Sequence, residues 1–109
     1  PPAPSACPLL RNRRMIYANI LLTVQAEEDV AEIRDLLREQ GRLSRAEPGC
    51  LRFDVFQSQA DAKVFLLCER WESVAALDVH RTAKAYNEIY KPKVLPRVTR
   101  VAHPSNLIE

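Results

Sequence analysis

Met15-Ile16-Tyr17-Ala18-Asn19-Ile20-Leu21-Leu22-Thr23-Val24 is the stretch on which the fold of this chain turns. Ile16, Ala18, Ile20, Leu22 and Val24 fall on one parity and Tyr17, Asn19, Leu21 and Thr23 on the other, the period of a β-strand with both faces largely apolar. A strand of that kind is covered on both sides of its sheet. Asn19 is its exception, because an amide buried without a hydrogen-bond partner costs on the order of a few kcal/mol.

Downstream, Glu27, Glu28 and Asp29 lead into Val30, Ile33, Leu36, Leu37 and Leu43, whose spacing of three and four predicts an amphipathic helix over 28–46 with carboxylates at its positive end. Pro48-Gly49 stops it. Leu51, Phe53 and Val55 then alternate with Arg52 and Asp54 in a second strand, Ser58 to Ala62 reads as a hairpin loop, and Val64 to Trp71 reads as the antiparallel return strand. Ser73 is placed to cap a short helix carrying Val74, Ala76, Leu77 and His80. A further turn or two is expected over Ala83–Tyr90 before Pro92 and Pro96 interrupt it, with Val98, Arg100 and Ala102 in a closing strand.

The order β-α-β-β-α-β predicts an α+β, ferredoxin-like antiparallel sheet with its helices on one face. The other face is left open, and an apolar sheet face of several hundred Å² generally marks an interface. The expectation is therefore a homodimer whose two sheets pack face to face. The domain is read as residues 15–103, preceded by a leader or arm over 1–14 that need not be ordered and followed by a tail over 104–109 that begins just after His103.

Composition narrows the function classes. The chain has 109 residues, 16 basic against 14 acidic, and that near-balance points to neither a nucleic-acid nor a membrane partner. Leu9-Leu10 is too short an apolar run for a secretory signal, and no stretch nears the ~20 apolar residues of a membrane span. Cys7, Cys50 and Cys68 make neither a CxxC pair nor a set with metal-ligand spacing, so no metal is expected and a reducing cytoplasm suits them. Cys50 and Cys68 read as small buried hydrophobes rather than nucleophiles. With only Gly41 and Gly49, a glycine-rich phosphate loop is excluded.

Glu47-Pro48-Gly49-Cys50-Leu51-Arg52-Phe53-Asp54-Val55, then Phe65, Glu69-Arg70-Trp71-Glu72-Ser73, Ala76-Leu77 and His80, resemble in combination the antibiotic-biosynthesis-monooxygenase-like domain, over about Met15 to Val101. The resemblance implies a dimeric α+β barrel and, in the best-understood enzymes of the family, oxidation of phenolic or quinol-type rings by O2 without flavin, metal or other cofactor. It also implies a functional Asn on the first strand. Relatives commonly carry a second His five residues after the first, followed by an aromatic. Here Ala85 takes that place and Tyr86 keeps the aromatic, so a mechanism built on two imidazoles is closed to this chain.

Cofactor-free oxygenation needs a base, an anion stabiliser and a dry pocket. His80 is the candidate base, since imidazole takes up and returns a proton near neutral pH. Asn19 is the candidate donor to a developing enolate-like oxygen, or else makes a structural hydrogen bond. Trp71 either walls an aromatic substrate or fills the core beneath the second helix. Glu69, sharing the parity of Trp71, either orients the base or pairs with an arginine; Phe53, Phe65 and Tyr86 are candidate pocket walls or core. The resulting expectation is a cofactor-independent monooxygenase acting on a small quinol, phenol or polyketide-like aromatic. The alternatives are an isomerase or degradative enzyme for a small, phosphorylated or unphosphorylated carbonyl compound, and a non-catalytic ligand-binding dimer.

Overall fold

The structure, a computed structural model, describes residues 14–109. Apart from Arg14, the leader read over 1–14 lies outside the described residues. Four strands, β1 (Ile16–Val24), β2 (Cys50–Gln57), β3 (Val64–Trp71) and β4 (Val98–Ser105), form one antiparallel sheet in the order β2-β3-β1-β4. Helices α1 (Val30–Arg45), α2 (Val74–His80) and α3 (Ala85–Val94) complete the ferredoxin-like α+β arrangement. The core lies between sheet and helices: Ile20, Leu22 and Val24 of β1 meet Ile33 and Leu37 of α1, and Phe53, Phe65, Leu67 and Trp71 complete it from β2 and β3. Each such fully buried side chain contributes ~1.5–3 kcal/mol.

Local chemistry sets the boundaries. Glu27–Asp29 forms a 3-10 turn before α1, so the acidic run sits at the helix's positive end. Gly49 has φ 81°, the left-handed region, and a Cβ there would overlap that of Ala76. The glycine thus lets the turn after α1 lie against the start of α2, where its carbonyl accepts from Glu72 N at 2.8 Å. Ser73 caps α2, its Oγ accepting from Ala76 N at 3.1 Å.

Three expectations are corrected. Leu51 does not share the inward face with Phe53: the register slips between Cys50 and Arg52, a bulge that leaves Leu51 exposed while Cys50 packs against the core. Pro92 does not end the third helix, because α3 is wound as a π-helix that runs on to Val94 and closes with Leu95 N–H donating to Tyr90 O. The wider winding moves the backbone carbonyls relative to the proline ring that would clash in an α-helix. The closing strand extends beyond Ala102 through His103 and Pro104 to Ser105, and proline is tolerated because β4 is an edge strand.

Candidate functional site

Beneath the helices, His80 is 3% exposed at the last residue of α2. Its Nδ1 lies 2.7 Å from Oε1 of Glu47, in the turn that Gly49 holds against α2. A carboxylate only accepts, so the shared proton sits on Nδ1, and in the neutral ring the lone pair is on Nε2. The imidazole lies over Trp71, centroids 4.4 Å apart and 36° inclined, with Phe53 at 6.0 Å and Tyr86 edge-on at 5.7 Å. Trp71 is fully buried and donates through Nε1 to Glu69 Oε1 at 2.9 Å. A tryptophan, the Glu47 carboxylate and a tyrosine therefore fix the orientation of one ring.

His80 opens onto a cleft of about 40 Å³ whose lining includes Gln40 of α1, Glu69 of β3, Tyr86 and Tyr90 of α3 and Arg100 of β4. Arg100 Nε donates to the Tyr90 hydroxyl at 2.9 Å, leaving that hydroxyl's own proton to point elsewhere. Burial pushes the Tyr90 phenol up to about 12, against the opposing pull of Arg100, so it is a proton donor throughout the neutral range. Burial also raises the Glu69 carboxyl above its ordinary value, opposed by the Trp71 hydrogen bond and by the charges of His80 and Arg100. Gln40 is 1% exposed, and its Oε1 has no partner among the described residues. Buried acceptors are nearly always satisfied, so Gln40 marks a place for a donor from water or ligand.

The candidate residues divide. Glu69, His80 and Tyr86 share the cleft, while Trp71 and Phe53 pack against His80 rather than lining it, with the Phe53 and Trp71 rings 6.4 Å apart. Phe65 is buried six positions along β3 from Trp71, beside Arg34, Arg38 and Arg45 of α1. Asn19 stands on the opposite, open face of the sheet, where its Nδ2 donates to Ser105 Oγ at 2.9 Å. It does not join His80, and within one chain it has no route to an oxygen bound there. Cys50, pushed up to about 11 by burial with Glu47 adding to the shift, keeps its proton and fits the packing role read from sequence.

Four contributors went unread: Glu47, Gln40, Tyr90 and Arg100. Two left a trace in the sequence. Gln40 occupies an inward position of α1 between Leu37 and Ser44, and Arg100 shares the parity of the buried Val98. A polar side chain on an otherwise apolar stripe is the pattern that would have found both.

Among the described residues no three His, Cys, Asp or Glu side chains are grouped to hold a metal ion, and no helix is long and apolar enough to cross a membrane. Fold and site together define a small α+β domain with a histidine–carboxylate pair buried under its helices. The chain belongs to the antibiotic biosynthesis monooxygenase family, whose pattern matches residues 15–92. Among solved structures it is similar to a conserved protein of unknown function from Bacteroides thetaiotaomicron, described as a possible oxidoreductase, with TM-score 0.80 and 22% identity over 87% of this chain and 99% of that one. A protein of Mycobacterium tuberculosis gives TM-score 0.72 and 28% identity over 86% and 97% of the two chains. An uncharacterized protein of Synechocystis is 36% identical over 45 residues, 41% of this chain, and the match spans only 31% of that relative's length.

Proposed function

We propose that this protein is a cofactor-independent monooxygenase for a small quinol or phenol, with His80 as the base that Glu47 positions. The single observation that carries the reading is the 2.7 Å contact between Glu47 and the buried, cleft-lining His80, which engages Nδ1 and leaves Nε2 as the nitrogen to take a proton. Removing a phenolic proton there leaves an electron-rich anion, whose charge the cleft-lining Tyr86 and Tyr90, the latter's hydroxyl accepting from Arg100, would stabilise. For a hydroquinone the balance closes on substrate and O2 alone: one oxygen atom enters the ring, the other leaves as water, and the substrate supplies all four electrons. Trp71 and Phe53 act through His80, by holding the ring, while Glu69 and Tyr86 line the substrate's surroundings. At about 40 Å³ the cleft is smaller than the ~150 Å³ of a benzene-sized cavity, so a single ring enters only where lining side chains such as the exposed Arg100 rearrange. The protein works as a homodimer in a reducing cytoplasm, which suits the free thiols of Cys50 and Cys68.

Metal-free protein is expected to accelerate O2 uptake with a hydroquinone panel, and His80→Ala to lower the rate by about 10²-fold, the scale of a lost general base. Glu47→Gln is expected to shift the pH–rate profile while leaving the fold intact by circular dichroism. An unchanged rate in His80→Ala removes the assignment. The same dyad would serve proton transfer on a small carbonyl compound, and turnover under strict anaerobiosis would favour that second reading.

A further inference from the structure

Arg34, Arg38 and Arg45 of α1 lie on one helical stripe, Arg38 and Arg45 being four and eleven residues beyond Arg34 on a helix of 3.6 residues per turn. They line a groove of about 360 Å³ against the edge strand β2, with Val55, Gln57 and the buried Phe65 as its other lining residues and no carboxylate among them. Gly41 falls on the same stripe. A Cβ there would lie 3.1 Å from Arg45 Nη1 and 3.3 Å from Val55 Cγ2, so the missing side chain lets helix and strand approach closely behind the groove.

The charge in this groove is poorly neutralised, unlike that of several other arginines. Arg42 pairs with Glu39, Arg52 with Asp54, and Arg97 with Glu32 and Asp29. Arg38 reaches only Asp35, at 3.9 Å and with both side chains exposed, and no described carboxylate pairs with Arg34. Arg45 spends one N–H on Phe53 O at 2.8 Å, which fixes its guanidinium at the groove while its other donors stay free.

We infer that this groove is a second ligand site, separate from the His80 cleft, for a small organic dianion: a phosphate monoester whose head sits among the three arginines and whose flat apolar body lies against Val55. Guanidinium forks match tetrahedral oxyanions in a bidentate manner, and the groove's volume is that of a small-molecule site.

Phenyl phosphate titrated into the full chain, followed by amide chemical shifts, tests this. Saturable shifts are expected at Arg34, Arg38, Gly41 and Val55, with inorganic phosphate and phenol each binding more weakly. The Arg34→Ala/Arg38→Ala variant, altered at exposed positions only, is expected to fold normally and to raise Kd by about tenfold or more, the scale of lost charge-assisted contacts. His80→Ala should leave binding unchanged. The site is overturned by non-saturable shifts, by equal response to phenol, by binding that survives the double arginine variant, by loss of binding in His80→Ala, or by an acidic peptide binding where phenyl phosphate does not.

Discussion

Replacing Gln40 with methionine separates what this side chain does for the fold from what it does for a ligand. Its buried Oε1 lacks a partner among the described residues, and an orphaned acceptor costs ~1–3 kcal/mol. Gln40→Met keeps the volume and removes the amide, so thermal unfolding is expected to move upward, at ~4–8 °C per kcal/mol for a domain of this size, while KM for the hydroquinone rises. A lower midpoint would show that the amide is satisfied in the native protein and contributes to packing. Glu69 gives a pH-dependent counterpart. Burial raises its folded-state value above the ordinary 4.5, so folding favours the protonated form. Its stability contribution is fully present below pH 4.5 and is lost as pH rises through the raised value. Glu69→Gln keeps an acceptor for Trp71 Nε1 but cannot ionise, so its midpoint should match wild type in acid and exceed it increasingly toward neutral pH. A constant difference across pH would remove the desolvation account.

Gly49 is where two elements depend on one backbone angle. With φ 81° and no room for a Cβ beside Ala76, Gly49→Ala is expected to cost at least ~1–2 kcal/mol, seen in urea as a lower midpoint at unchanged slope. It should also lower turnover, since the same turn carries Glu47 to His80. This turn, the Ser73 cap, α1 and the β2–β3 hairpin were legible in the sequence because each is a local pattern: a period, a capping hydroxyl or a glycine after a proline. The bulge at Leu51 was not, since one extra residue inverts the parity on which strand reading depends. The course of α3 through Pro92 was not, because π-winding leaves no periodic trace in so short a segment. Asn19 shows the deeper limit. Period two told which residues of β1 share a face, but both faces are apolar, so nothing local told which one the helices would cover. The structure puts Ile20 under the helices and Asn19 on the open side, and with that choice Asn19 and His80 were separated.

The open face has an order that appears only when all four strands are assembled. Register aligns Phe56 with Leu66, Leu66 with Leu21, and Leu21 with Val101, an apolar row running from one edge of the sheet to the other. Phe56, Leu66 and Val101 are 47%, 37% and 44% exposed, an arrangement that isolated surface hydrophobes do not produce. The adjoining row, Asp54, Cys68, Asn19 and His103, is polar, so the face alternates rather than presenting a uniform greasy surface. Four strands at ~4.8 Å spacing and ~8 residues at ~3.3 Å give a flat footprint of about 500 Å², which side-chain relief brings toward the ~800 Å² per partner of a stable complex. A second copy related by a two-fold axis through that row would set the apolar row against its own counterpart. Leu66→Asp introduces a charge at the middle of that row, and symmetry places two such charges in one interface. Sedimentation at micromolar concentration is expected to give a dimer for wild type and a monomer for Leu66→Asp, with circular dichroism unchanged because the position already faces solvent in the single chain. Wild-type protein that sediments as a monomer, or a Leu66→Asp variant that stays dimeric, would place the covering of this sheet elsewhere.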